Sequence, residues 1–267
     1  MKTKERASRH PVKARAGLPQ QVSAVLAELR ALGNDQNLRG MVRVGINAAD
    51  AFGVSIYDLR KVAQRLGTEH DLALALWATG NHEARLLACF VDDPAAVTLK
   101  QMESWARDFA SWDLCDQATT SLFDRSAHAW RKAADWAERD EEFVRRGGLA
   151  LMAGLAVHDQ AAGDRDFKRL LPLIRRCAFD DRNFVKKAVN WALRNIGKRN
   201  RALCAAAIAC AEKIRADADQ HTGGARRGDP GARAARWVAT DALRELRSEK
   251  VQARLSGQSR RSSTRSR

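Results

Sequence analysis

Asn183-Phe184-Val185-Lys186-Lys187-Ala188-Val189-Asn190-Trp191-Ala192-Leu193-Arg194-Asn195-Ile196 is the stretch that decides the fold. Set about 100° apart, Phe184, Val185, Ala188, Val189, Ala192, Leu193 and Ile196 gather on one side. That is the stripe of an amphipathic helix, and no alternation of period two competes with it. The same period recurs outward from about Leu18 to about Arg247. It predicts helices near 18–32, 56–67, 69–79, 82–91, 98–109, 112–123, 127–138, 141–157, 166–177, 183–197, 200–217 and 231–247. Gly33-Asn34, Gly67, Gly80-Asn81, Asp93-Pro94, Gly163, Asp180-Asp181 and the segment Thr222–Pro230 separate them. Asp229-Pro230 supplies a cap and a first-turn proline for the last one.

Composition agrees. Alanine, leucine and arginine are abundant, valine and isoleucine are sparse, and there is one tyrosine. This is a helix-forming vocabulary, so an all-α protein is expected. A dozen medium helices on short loops fit either a bundle or a stack of antiparallel pairs. The pairs repeat at very roughly 35–45 residues, within the range of helical solenoids, although no clean sequence repeat is visible.

The net charge of +15 is uneven. Residues 1–17 carry six basic side chains against Glu5, and residues 250–267 carry six against no acid. That leaves +4 for the body. Both ends lack an apolar period, so disordered basic segments are expected over 1–17 and 248–267, flanking one domain over 18–247. They are either solubilising ends or attractors of a polyanion, nucleic acid above all. Five scattered cysteines without a CxxC suit a reducing compartment and argue against a disulfide framework or zinc. The histidines show no metal-ligand spacing. No run approaches the ~20 apolar residues of a membrane span, and no hydrophobic segment follows the charged start. A soluble, intracellular protein without metal or cofactor is the expectation.

Two segments could carry chemistry. In Ser111-Trp112-Asp113-Leu114-Cys115-Asp116, serine is a favourable N-cap, and Trp112 and Asp116 share one helix face, one turn apart. Asp113 suits the helix start through the macrodipole. Asp116 lies beyond that range and is either a salt-bridge partner of a neighbouring helix or a catalytic carboxylate. Trp191 sits at the edge of its stripe beside Lys187, Arg194 and Lys198. It is either a boundary tryptophan under basic stems or an aromatic platform flanked by phosphate-binding cations. Arg145-Arg146-Gly147-Gly148 places an arginine pair, readable as solvated surface charge, before two glycines whose plain use is close helix packing. His82-Glu83 and His158-Asp159 read as ordinary surface pairs. No Ser-His-Asp set or HExxH occurs, and the glycines of 222–231 follow a helix rather than a strand.

Taken together, the body, about 18–247, resembles the AlkD-type DNA alkylation repair family of HEAT-like repeat DNA glycosylases. Phe52-Gly53-Val54-Ser55 through Leu59-Arg60, Leu76-Trp77, Ser111 to Asp116, Phe143-Val144-Arg145-Arg146, and Phe184 to Arg194 carry the resemblance by their order and spacing. It implies an all-α solenoid of antiparallel HEAT-like helical repeats with a concave basic groove. It also implies a monofunctional glycosylase acting on cationic alkylpurines such as 3-methyladenine and 7-methylguanine in double-stranded DNA, probing without base flipping. In that family a Trp-x-x-x-Asp unit, a second Trp and an Arg form the site, here Trp112 and Asp116, Trp191, and Arg146. Arg194, three residues after the second Trp, matches a backbone-contacting arginine, with Lys187 and Lys198 adding positioning. Gly147 and Gly148 depart from the larger residues expected after Arg146 and could loosen its hold. A monomer in the cytoplasm, associated with the nucleoid, is expected. Two other classes stand beside the enzyme: a non-catalytic helical-repeat nucleic-acid binder that recognises shape or damage, and a protein-interaction scaffold. The scaffold would need a hydrophobic groove, which the Trp191 face argues against.

Overall fold

The computed structural model describes residues 17–222 and 228–264. Among them are fourteen α-helices and no strand. The first five are α1 (Leu18–Ala31), α2 (Asp35–Arg43), α3 (Ile56–Leu66), α4 (His70–Ala78) and α5 (His82–Val91). Then come α6 (Leu99–Arg107) and α7 (Trp112–Ser121), a 3-10 turn at Phe123–Arg125, α8 (Ala129–Ala137) and α9 (Glu142–His158). The last five are α10 (Asp164–Cys177), α11 (Asn183–Gly197), α12 (Arg201–Thr222), α13 (Pro230–Leu246) and α14 (Glu249–Thr264).

Local chemistry sets many of the helix starts. Asn34, Ser55, Asn81, Thr98 and Asp229 each accept a backbone N–H of the first turn, and Pro230 follows Asp229 as expected. Tertiary packing then orders the helices. α3, α5, α7, α9, α11 and α13 pack each on the next as one row. α4, α8 and α12 back this row as partners of α5, α9 and α13, and α10 sits between α8 and α12. The chain is a stack of helix pairs, the solenoid of the two architectures its sequence allowed.

α9 lies at the centre of the row and is buried nearly all round from Arg146 to Ala156. Gly148 makes this possible: a Cβ there would lie 2.3 Å from the backbone nitrogen of Ala137 and 2.9 Å from the oxygen of Ala133 on α8. Gly147 faces Phe109, Trp136 and Cys115 at ordinary contact distances or slightly less. The pair therefore serves close packing. Alanine would gain about 1 kcal/mol of helix propensity over glycine, but at position 148 backbone on α8 blocks its methyl. Gly148→Ala is expected to cost about 1–3 kcal/mol in urea unfolding, the range of overpacked cores, whereas Gly147→Ala should cost less.

Most tryptophans are structural. Trp77 stacks on Trp105 with ring centroids 3.9 Å apart, and Phe109, Phe123 and Trp136 continue the aromatic core. Trp112, Trp191 and Trp237 stay at least partly open.

The structure corrects several expectations. α2 was not predicted; it is only nine residues long, and none of them is buried. The C-terminal segment, expected to be disordered over 248–267, is helical over Glu249–Thr264. Val251 and Leu255, one turn apart, are buried, and Gln252 donates to the carbonyl of Leu246 at 2.6 Å. Two apolar residues suffice because they close the open end of the stack. The basic arm expected over 1–17 lies outside the described residues except for Gly17.

Of the two pairs expected at the surface, His82-Glu83 is buried, whereas His158 is exposed and Asp159 half-buried. Glu83 is fully buried and its carboxylate accepts the successive backbone N–H groups of Phe52, Gly53 and Val54, a nest that the left-handed Gly53 helps to shape. His158 pairs with the buried Asp124 at 2.5 Å, and Asp159 accepts from the indole of Trp130 at 2.9 Å. Arg145 is not solvated charge either. It donates to the carbonyl of Arg139 at 2.6 Å and to Asp180 at 2.8 Å, tying two turns together. Among the described residues, no helix is long and apolar enough to cross a membrane.

Candidate active site

The site is built from the starts of α7 and α11 and the first turns of α9. Ser111 is extended and buried at the N-cap of α7, yet its hydroxyl donates to Asp113 at 2.6 Å instead of capping an amide. Asp113 also pairs with Nε2 of His82 at 2.9 Å. Burial works to raise the Asp113 pKa, but the His82 and Ser111 contacts outweigh it and hold the carboxyl below its usual range. Asp113 thus anchors α7 to α5, a larger role than complementing the helix dipole.

That anchor fixes Trp112 and Asp116 on the row. The Trp112 indole N–H donates to the carbonyl of Val44 at 3.1 Å. One turn on, Asp116 accepts two parallel hydrogen bonds from Arg146 of α9, at 2.8 Å from Nε and 2.6 Å from Nη2. The third arm of Arg146, Nη1, donates to the carbonyl of Phe184 at 2.6 Å. One guanidinium therefore joins α7, α9 and the first turn of α11. Only 7% of the Arg146 side chain and 14% of the Asp116 side chain is exposed. Burial pushes the Asp116 carboxyl up, and Arg146 opposes that push without cancelling it. The salt bridge that the sequence allowed as the plain reading of Asp116 is present, and its partner is the site arginine itself. Gly147 and Gly148 do not loosen Arg146, since all three arms of its side chain are bonded.

Val44-Gly45 closes one end of this cluster. A Cβ on Gly45 would stand 3.2 Å from Cζ of Phe184, and Gly45 adopts a positive φ of 81°. The Phe184 ring packs in turn on Phe143, with centroids 5.5 Å apart. Trp112, Asp116, Arg146 and Phe184 are thus one connected group. Trp191 lies seven residues beyond Phe184 on the same side of α11, roughly 10 Å along its axis. It is half-buried and packs at the edge of the core.

The cations around Trp191 divide. Lys187 is exposed. Arg194 and Lys198 both reach Glu245 of α13, Lys198 at 2.7 Å, and Arg194 also stands 3.4 Å from Asp241. Asp241 accepts from the buried Asn190 at 2.6 Å and pairs with Arg244. Sequence reasoning did not identify Glu245 or Asp241, whose partners on α11 are about fifty residues away. It also passed over Trp237. That ring lies 41% exposed on α13, off the buried stripe of Ala235, Val238, Ala239 and Ala242, with Nζ of Lys186 at 5.1 Å from its centroid. Its place off the stripe was the available signal.

A family model described as DNA alkylation repair enzyme matches residues 25–248. The uncharacterized protein Lin0241 of Listeria innocua serovar 6a is 27% identical over 125 residues, 45% of this chain and 56% of the relative. The match thus spans little more than half of that relative's length. A solved structure described as belonging to "a new family of proteins related to the HEAT-like repeat DNA glycosylases with affinity for branched DNA structures" superposes with a TM-score of 0.65. It is 22% identical, with 72% of this chain and 82% of that one covered, and this likeness speaks to fold.

Proposed function

On the premise that this chain belongs to the DNA alkylation repair enzyme family, we propose that it is a monofunctional DNA glycosylase. It hydrolyses the N-glycosidic bond of cationic alkylpurines, 3-methyladenine and 7-methylguanine, in double-stranded DNA. The observation that carries this reading is the Asp116 carboxylate, held in place by Arg146 one turn from the partly open indole of Trp112.

An alkylpurine already bears positive charge, so no general acid has to protonate the leaving base. As the bond from C1′ to the base nitrogen breaks, its electron pair neutralises the purine and the sugar becomes an oxocarbenium. Asp116 stabilises that charge and orients the water whose oxygen bonds to C1′, and the water's proton passes to solvent. Two of the carboxylate's lone-pair sites are taken by Arg146, which leaves acceptor capacity for the water. Trp112 and Trp191 offer their faces to the cationic nucleotide. Arg146, expected from the sequence to meet DNA, instead commits its nitrogens to Asp116 and Phe184 and so fixes the carboxylate, while Arg194, Lys187 and Lys198 bind phosphates along the same row. The base stays in the stack, since no deep pocket is required by this chemistry. The protein works as a monomer on duplex DNA at the nucleoid, with neither metal nor cofactor.

The deciding experiment incubates the protein with methylated genomic DNA and reads released bases by mass spectrometry. Free 7-methylguanine or 3-methyladenine above the spontaneous rate is expected; none at any protein concentration would overturn the reading. One observation favours an alternative, a non-catalytic binder of DNA shape. The superposed structure is described by an affinity for branched DNA. A binder would release no base yet bind with a salt slope of about −0.9 per phosphate contact on B-DNA.

A further inference from the structure

We infer that Glu245, with Asp241 behind it, is an internal competitor for phosphate that holds Arg194 and Lys198 away from DNA until the backbone displaces it. This rests on the proposed reading only in taking DNA as the polyanion, and it does not depend on base excision.

Two arginine–carboxylate pairs lie along the same row of helices, and their geometry differs in kind. Arg146 grips Asp116 bidentately and is nearly buried. Opening such a pair strands a charge in the interior. Arg194 touches Glu245 through Nη1 alone, and both side chains are close to 30% exposed. Its Nε is buried with no hydrogen-bond partner among the described residues, so the fork is not saturated. Lys198 takes the other oxygen of the same carboxylate at 2.7 Å. Partial burial works to raise the Glu245 pKa, but Lys198 and Arg194 outweigh it, so the side chain is an anion at neutral pH.

Two cations sharing one half-open carboxylate form an exchangeable cluster. Ion pairs this open are individually weak, and a phosphate can match them. On the far side, Asp241 is fixed by Asn190 and Arg244, so α13 keeps its second acid at the cluster when Glu245 lets go. The reason for such a device lies in the charge. A chain of net +15 binds undamaged duplex through its phosphates whatever the sequence. Occupying two of its cations internally shortens residence on ordinary DNA and leaves them available once the backbone is drawn close. Glu245 is therefore a positioning residue that weakens uniform binding.

The test measures binding of an undamaged 20-base-pair duplex by wild type, Glu245→Gln and Glu245→Gln/Arg194→Ala from 50 to 300 mM KCl. Glu245→Gln is expected to bind about 3–10-fold tighter at the lowest salt, with its log K versus log salt line steeper by roughly 1–2, about 0.9 for each cation released. The double variant should lose the share due to Arg194. Asp241→Asn should produce a smaller gain. Unchanged or weaker binding by Glu245→Gln, at an unaltered melting temperature, would overturn the proposal and make Glu245 a brace that presents Arg194. A lowered melting temperature with no gain in affinity overturns it equally. Excision is read separately. A protein that releases no base yet gains affinity in Glu245→Gln would sink the glycosylase reading and leave this one intact.

Discussion

Asp116→Asn is expected to slow release of 7-methylguanine from methylated DNA by about 10²–10³-fold, the size of removing one preorganised electrostatic group, while undamaged duplex binds almost as before. The substitution suits the geometry. Asparagine keeps the shape of the side chain and one carbonyl oxygen for Nε of Arg146, so the bridge from α9 to α7 is weakened rather than erased. What disappears is the negative charge that the proposed chemistry sets against the sugar. Some stability goes with it, because Arg146 is nearly buried and loses its counter-ion. The rate is therefore measured well below the melting temperature of the variant, with circular dichroism confirming the folded fraction. A variant that excises at the wild-type rate would reduce the Asp116–Arg146 pair to a strut between helices. Trp112→Phe, by contrast, keeps an aromatic face but loses the hydrogen bond to Val44, and its effect should fall mainly on substrate affinity.

The sequence made some of this legible and hid the rest for a physical reason. The stripe from Phe184 to Ile196 announces α11 because each of its members meets a neighbouring helix, and Val185, Ala188, Val189, Ala192, Leu193 and Ile196 are all fully buried. The spacing of Trp112 and Asp116 was readable because one helical turn is a local fact. Partners across the stack were not. Arg146 lies thirty residues from Asp116, Asp113 thirty-one from His82, and Glu245 fifty-one from Arg194. A single chain gives no signal at such separations, so Glu83 and Arg145 looked like surface charge although both are spent inside the stack. α2 and α14 were missed for the complementary reason. The first is short and tied down by a polar contact, the Asn37 side-chain amide donating to the carbonyl of Gly53 at 2.8 Å. The second rests on two apolar side chains, too few to make a period.

Arg146→Gln carries the largest expected loss of stability, about 3–5 kcal/mol at neutral pH, the cost of stranding one member of a buried ion pair. Three hydrogen bonds go at once, and the carbonyl of Phe184 loses its donor at the start of α11. The dependence on pH identifies the cause. Burial already raises the Asp116 pKa, and Arg146 opposes that rise, so its removal lifts the folded-state pKa further above the unfolded value. A group shifted upward on folding adds stability below its unfolded pKa and loses it as pH rises through the folded one. The deficit of Arg146→Gln relative to wild type should therefore be greatest at pH 7 and shrink as pH falls through the raised Asp116 pKa. Urea unfolding of both proteins at pH 7 and pH 5 measures this. Adding Asp116→Asn to the variant should restore part of the loss at pH 7, since the stranded charge is then gone, and leave little difference between the two pH values. Catalysis should follow the same titration. Asp116 must be ionised to face an oxocarbenium, so the acid limb of base release in wild type lies above the ordinary aspartate range. In Arg146→Gln that limb moves to higher pH. An equal stability deficit at both pH values, or an acid limb that stays in place, would mean that Arg146 does not govern the ionisation of Asp116.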